Sequence, residues 1–96
     1  MAERKKLNDS EIQESLSELS GWRIENGKLH KSFQFDSFVD AFGFMTKSAL
    51  VAEAMNHHPD IFMHSWNKVK ISISTHDKGG VTLKDFDLAN KIQELQ

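Results

Sequence analysis

The stretch Asn67-Lys68-Val69-Lys70-Ile71-Ser72-Ile73-Ser74-Thr75 reads as a strand of period two. Val69, Ile71, Ile73 and Thr75 fall on one side, and Lys68, Lys70, Ser72 and Ser74 on the other. Downstream, Asp77-Lys78-Gly79-Gly80 is a turn, and Thr82 opens a last helix with Leu88, Ile92 and Leu95 along its buried face. Upstream stands the single proline, Pro59, which pushes the residue before it out of the helical region. His58 is therefore extended, and His57 closes the last turn of a long helix that begins at an Asp36 or Ser37 cap and reaches about Asn56. Phe38, Phe42, Met45, Ala49 and Ala52 form one stripe on that helix. Phe44, Val51 and Met55 lie partly off it. Apolar residues on more than one side predict contact with another subunit as well as with the chain's own sheet.

Further upstream, Trp22–Glu25 and Lys28–Phe35 are two short strands around Asn26-Gly27, a strong hairpin signal. Leu29, Phe33 and Phe35 give the second strand its apolar side, with Lys31 as the exception. A first helix runs from about Ser10 to Ser20, with Ile12, Leu16 and Leu19 on one face. Asn8 and Glu11 have capping-box spacing. Gly21 stops the helix. The order α-β-β-α-β-β-α makes an α+β domain with helices packed on one face of an antiparallel sheet.

Ninety-six residues are too few for two cores, so residues 1–96 are expected to form one domain, with 1–6 as a tail. The absence of cysteine excludes disulfides, thiolate zinc sites and thiol nucleophiles. Lys and Arg total 12 against 14 Asp and Glu, a net charge of −2, which argues against direct nucleic-acid binding. Arg4, Lys5 and Lys6 are read as a solvated cluster. The charged start is followed by no apolar run, and no stretch approaches the roughly 20 apolar residues of a spanning helix. The expectation is a cytosolic chain with no membrane role.

Histidine is the residue type out of proportion, at positions 30, 57, 58, 64 and 76. Three of the five mark element boundaries, where sites tend to assemble, and histidine exchanges protons near pH ~6.5. Each also has a structural reading. His57 suits a helix C-terminus and stands four residues after Glu53, His58 tolerates the position before proline, and His76 is a turn residue beside Asp77. Asp85 has capping spacing from Thr82, yet lies one turn before Leu88 on the inward face, where it could orient His76. A three-histidine metal site is disfavoured because adjacent histidines before a proline diverge, unlike helical ligand spacing. No serine-nucleophile elbow or phosphate loop is present.

Taken in order, Glu53-Ala-Met-Asn-His57-His58-Pro59, Trp66, Asn67-Lys68-Val69, Ser74-Thr75-His76-Asp77 and Asp85 resemble the signature of the pterin-4a-carbinolamine dehydratases. Ala41-Phe42-Gly43-Phe44-Met45 is similar to that family as well, and the likeness runs from about Leu7 to Leu95. The resemblance implies an enzyme that dehydrates 4a-hydroxytetrahydropterin, left by an aromatic amino acid hydroxylase, to quinonoid dihydropterin. Neither metal nor cofactor is implied.

By position, His57 and His76 would transfer protons. His58 would hold the ring and contribute to the acid step, Asp85 would orient His76 or bind the pterin edge, Trp66 would line or support the pocket, and Glu53 would be a further substrate-binding or orienting residue. Family members are commonly homodimers or homotetramers, joined through sheet edges and the long helix. Some serve instead as transcription coactivators or carboxylase assembly factors, roles that need none of the histidines. Two departures stand near the expected pocket mouth: Ser65-Trp66-Asn67 where Val-Tyr-Asn is frequent, and Lys78 where a small residue is common.

Overall fold

A computed structural model describes residues 5–96; part of the expected tail, residues 1–4, lies outside the described residues. The alternating stretch forms a strand over Lys68–Ile73 and occupies an interior position in a four-stranded antiparallel sheet. Numbered along the chain, the elements are α1 (Asp9–Leu16), β1 (Arg23–Glu25), β2 (Lys28–Gln34), α2 (Phe38–Met55), β3 (Asp60–His64), β4 (Lys68–Ile73) and α3 (Leu83–Gln93). A short 3-10 turn over His76–Lys78 precedes α3. The sheet order is β1-β2-β4-β3. The architecture is the expected α+β order, α-β-β-α-β-β-α.

Period two decides which face of the sheet is covered. Val69, Ile71 and Ile73 of β4 and Leu29 of β2 are fully buried, and Phe33 nearly so, against Leu88, Ala89 and Ile92 of α3 and Phe44 of α2. Each large side chain removed from water in this way contributes on the order of 1.5–3 kcal/mol. Lys68, Lys70 and Ser72 stay half-buried on the opposite face. The β1–β2 hairpin turns on Asn26 and Gly27, both with positive φ, at 53° and 74°, as a twist-compatible two-residue turn requires.

One boundary and one buried face differ from the expectation. Helix α1 ends at Leu16 rather than Ser20, where the Ser17 N–H is shared between the Gln13 and Ser15 carbonyls and the chain tightens into turns; Leu19 is still buried. Of the two expected caps of α2, Ser37 is the one used, accepting the Asp40 N–H at 3.0 Å. The other difference is which face of α2 is inward. Ala41, Phe44, Ser48 and Ala52 are the buried positions, whereas Phe38 and Phe42 of the expected stripe point to solvent and Ala49 is exposed. Hydrophobicity alone could not choose between two apolar faces; packing against Phe33 and Phe35 of the sheet does.

Candidate active site

The C-terminal end of α2 and the end of β4 meet at one edge of the molecule. Asn56 ends the helix in the left-handed conformation, at φ 51°, its N–H bonded to the Ala52 and Glu53 carbonyls. This turn sends His57 inward and His58 outward, the divergence expected of adjacent histidines before Pro59. The His57 N–H still reaches the Ala52 carbonyl at 3.0 Å. His57 is buried, while the His58 ring is exposed, with Nε2 at 2.7 Å from Glu53 Oε1. Glu53 thus partners His58, not His57 four residues on.

On the other side, Thr75 continues the buried row of β4. Its N–H bonds the Gly80 carbonyl at 2.9 Å, closing a loop that holds the 3-10 turn and Gly79 at φ 68°. Thr82 then caps α3. Asp85, three residues later, completes the capping box, with Oδ2 accepting the Thr82 N–H at 2.8 Å. The same oxygen accepts the Thr75 hydroxyl at 2.9 Å. Its other oxygen, Oδ1, is bonded to His57 Nε2. This carboxylate is wholly buried, and three polar groups replace the water it has lost.

The expected Asp85–His76 pairing is therefore not formed; Asp85 belongs to His57. His76 begins the loop, is exposed, and its ring makes no hydrogen bond with another described residue. His57, His58 and His76 nevertheless line one open cleft of about 300 Å³, together with Asn56, Ser74, Thr75 and Asp77. A second hollow of about 170 Å³ shares Ser74, Thr75 and His76 and extends to the Asn26–Lys28 turn. A slightly larger hollow, about 320 Å³, lies between Phe35, Asp40, Lys47 and Leu95. It holds no histidine, so the chemistry points to the first cleft. Among the described residues, no group of three or more His, Asp or Glu is placed to hold a metal ion.

Trp66 is not in this cleft. It sits in the β3–β4 turn with φ 57°, largely exposed, beyond the His64–Lys68 pair, whereas the cleft lies beyond the Asp60–Ser72 pair at the hairpin's other end. At strand rise the two ends are on the order of 13 Å apart. His64 stacks on Phe62, and His30 is buried beneath the opposite face with Nδ1 at 3.0 Å from Ser72 Oγ; neither lines the cleft. Thr75 and Thr82 were not singled out from the sequence as parts of the site. The available signal was a hydroxyl on the buried side of an alternating strand, which must find a partner.

Comparison with known proteins identifies the family and the fold. The family model described as Pterin 4 alpha carbinolamine dehydratase matches residues 5–95. A Solibacter usitatus protein provisionally named a pterin-4-alpha-carbinolamine dehydratase is 54% identical over 90 residues, covering 94% of each chain. The crystal structure of a Brucella melitensis protein described as a transcriptional coactivator/pterin dehydratase superposes with a TM-score of 0.88 at 39% identity, over 95% of this chain and 98% of that one. A pterin dehydratase-like protein, identified as a RuBisCO assembly factor in the alpha-carboxysome, shares the fold. Its TM-score is 0.66 at 22% identity, over 80% of this chain and 90% of that one. By the family model and the full-length relatives together, this chain belongs to the pterin 4 alpha carbinolamine dehydratase family.

Proposed function

We propose that this protein dehydrates 4a-hydroxytetrahydropterin to quinonoid dihydropterin by histidine acid–base catalysis, as a step in recycling the tetrahydropterin of an aromatic amino acid hydroxylase. The observation that carries the reading is the convergence of His57, His58 and His76 on one cleft, with the buried Asp85 bonded to His57. In the reaction the C4a–O bond breaks and the departing oxygen takes up a proton to leave as water. The N5–H proton is lost, and its electron pair forms the C4a=N5 bond. One group that gives a proton and one that takes a proton are sufficient, and electrons are only rearranged within the ring.

His57 and His76 are the proton-transferring pair, one set rigidly by Asp85 and one free to adjust at the loop. His58, braced by Glu53, supports the ring and contributes to the acid step. Positioned proton transfer of this kind is typically worth about 10²–10⁴ in rate. The test is stopped-flow dehydration of freshly generated 4a-hydroxytetrahydropterin, with and without chelator. Acceleration that survives chelator and falls at least about 100-fold in kcat in His57→Ala and His76→Ala supports the reading. Unchanged turnover in both variants sinks the role assignment, and no acceleration by the wild type sinks the activity itself.

A second reading, a binding module, is favoured by one observation: α2 leaves Phe38, Val39, Phe42 and Leu50 more than half exposed. An apolar helix face of this kind on a 96-residue chain suits association with further copies of itself. We take a homodimer or homotetramer as the working state. Self-association is compatible with catalysis, and only wild-type protein that fails to accelerate dehydration would leave binding as its whole role.

A further inference from the structure

The buried hydroxyls beside Asp85 carry a consequence for His57 that the proton count makes definite. Asp85 Oδ2 has two donors, the Thr82 N–H and the Thr75 hydroxyl. Thr75 has one hydroxyl proton, and that bond uses it. The Thr75 Oγ1–Thr82 Oγ1 contact at 2.9 Å must then be donated by Thr82, whose own oxygen accepts the Lys84 N–H at 3.2 Å. Every proton in this cluster is assigned, and all three side chains are buried. Oδ2 is saturated by its two donors, so the carboxylate presents Oδ1 to His57 as an acceptor.

An acceptor at that place requires the proton of neutral His57 to be on Nε2. Nδ1 is then the nitrogen with the lone pair. It has no hydrogen-bond partner among the described residues, and it is not among the buried atoms left unpaired, so it keeps some exposure on a residue that lines the cleft. We infer that Thr75, backed by Thr82, is a positioning residue that fixes Asp85 and thereby the Nε2–H form of His57, making Nδ1 the atom that exchanges a proton with substrate. Neither threonine acts on the substrate itself in this role. The consequence for turnover rests on the proposed dehydratase reading; the consequence for the ring's tautomer does not.

The cluster makes the tautomer a property of four residues from three places in the chain. Without the Thr75 hydroxyl, Oδ2 loses one of its two fixed donors and Thr82 loses its acceptor. The carboxylate is then free to rotate, and the imidazole can take either neutral form. A wrong tautomer puts a proton where the base needs a lone pair, a fault that costs turnover rather than binding.

The experiment compares wild type, Thr75→Val and Thr75→Ser by nitrogen-15 NMR of the histidine rings and by dehydration kinetics. Wild-type His57 is expected as the Nε2–H form when neutral. Thr75→Val is expected to show mixed tautomers and a kcat lowered roughly 10- to 100-fold, the range of one lost hydrogen bond to a charged group, with KM within about twofold. Thr75→Ser, which keeps the hydroxyl, is expected to retain both the tautomer and most of the turnover. Equal losses in the Ser and Val variants, or a Val variant with His57 and kcat unchanged, overturn the inference. So does wild-type His57 found mainly as the Nδ1–H form, a result that depends on no variant folding. Should wild type fail to dehydrate the pterin, the dehydratase reading falls while the tautomer measurement still decides this one.

Discussion

His30 shows what one buried imidazole does to the stability of a small domain. It is 2% exposed on β2, with Nε2 unpaired and the Glu25 carboxylate 3.9 Å away, too far for a good bond. Burial holds its pKa below the ordinary histidine value, with Glu25 opposing that shift and Arg23 and Lys70 reinforcing it. The folded state therefore binds less proton than the unfolded chain between the folded pKa and ~6.5. This stabilising contribution is complete above ~6.5 and is lost as pH falls through the folded value. Urea unfolding from pH 8 to pH 5 should show stability falling over the acid part of the range. In His30→Gln that fall should be shallower; an identical profile in the variant would place the acid sensitivity elsewhere. At the same scale, the inward turn at Asn56 separates two adjacent histidines into a buried ring and an exposed one.

Among elements, the informative contacts are those that tie the α1–β1 connection, β2 and α3 together away from the cleft. Lys31, the charged exception on the apolar side of β2, is placed there for a reason. Its ammonium bonds the Ser20 carbonyl at 3.1 Å and Gln93 Oε1 at 2.8 Å, and lies 4.9 Å from the Phe33 ring centroid. Gln93 Oε1 also accepts the Trp22 indole N–H at 3.0 Å. One amide oxygen thus joins the connection between α1 and β1, the sheet and α3. Gln93→Ala leaves both donors without it and should lower stability by about 1–3 kcal/mol, read by chemical denaturation, with dehydration kcat unchanged. Helix α2 provides a second contrast. Phe44→Ala opens a cavity against Phe33 and Phe35 and should cost about 3–5 kcal/mol at every protein concentration. A cost under about 1 kcal/mol would mean that the inward face is misassigned.

For the whole molecule, the exposed apolar face of α2 is the feature a lone chain leaves unfinished. If further copies cover it, Phe42→Glu should reduce the sedimenting mass to a smaller species at micromolar concentration, while Phe44→Ala should not act through association. A monomeric wild type would remove the oligomer proposal and leave that face to a different partner. No helix among the described residues is long and apolar enough to cross a membrane.

The sequence determined by itself what depends on local periodicity and local chemistry. The alternation of Lys68–Ser74 sets the covered face of the sheet, Asn26-Gly27 forms the hairpin, Asn8 with Glu11 caps the first helix, and Pro59 marks a limit that the long helix, ended at Asn56, does not reach. Family membership was legible too, because spaced histidines and carboxylates survive as a pattern along the chain. What the tertiary structure decided were the pairings between distant residues. Asp85 could have served any histidine near the β4 end; the path of α2 into its left-handed cap put His57 there, 28 residues away in sequence. Trp66 was assigned to the pocket by its place in a motif, but a hairpin's turn and its open end lie a strand's length apart. The inward face of α2 was undecidable from composition because both faces are apolar. Only the sheet's own aromatic side chains, once folded against Phe44, distinguish core from surface.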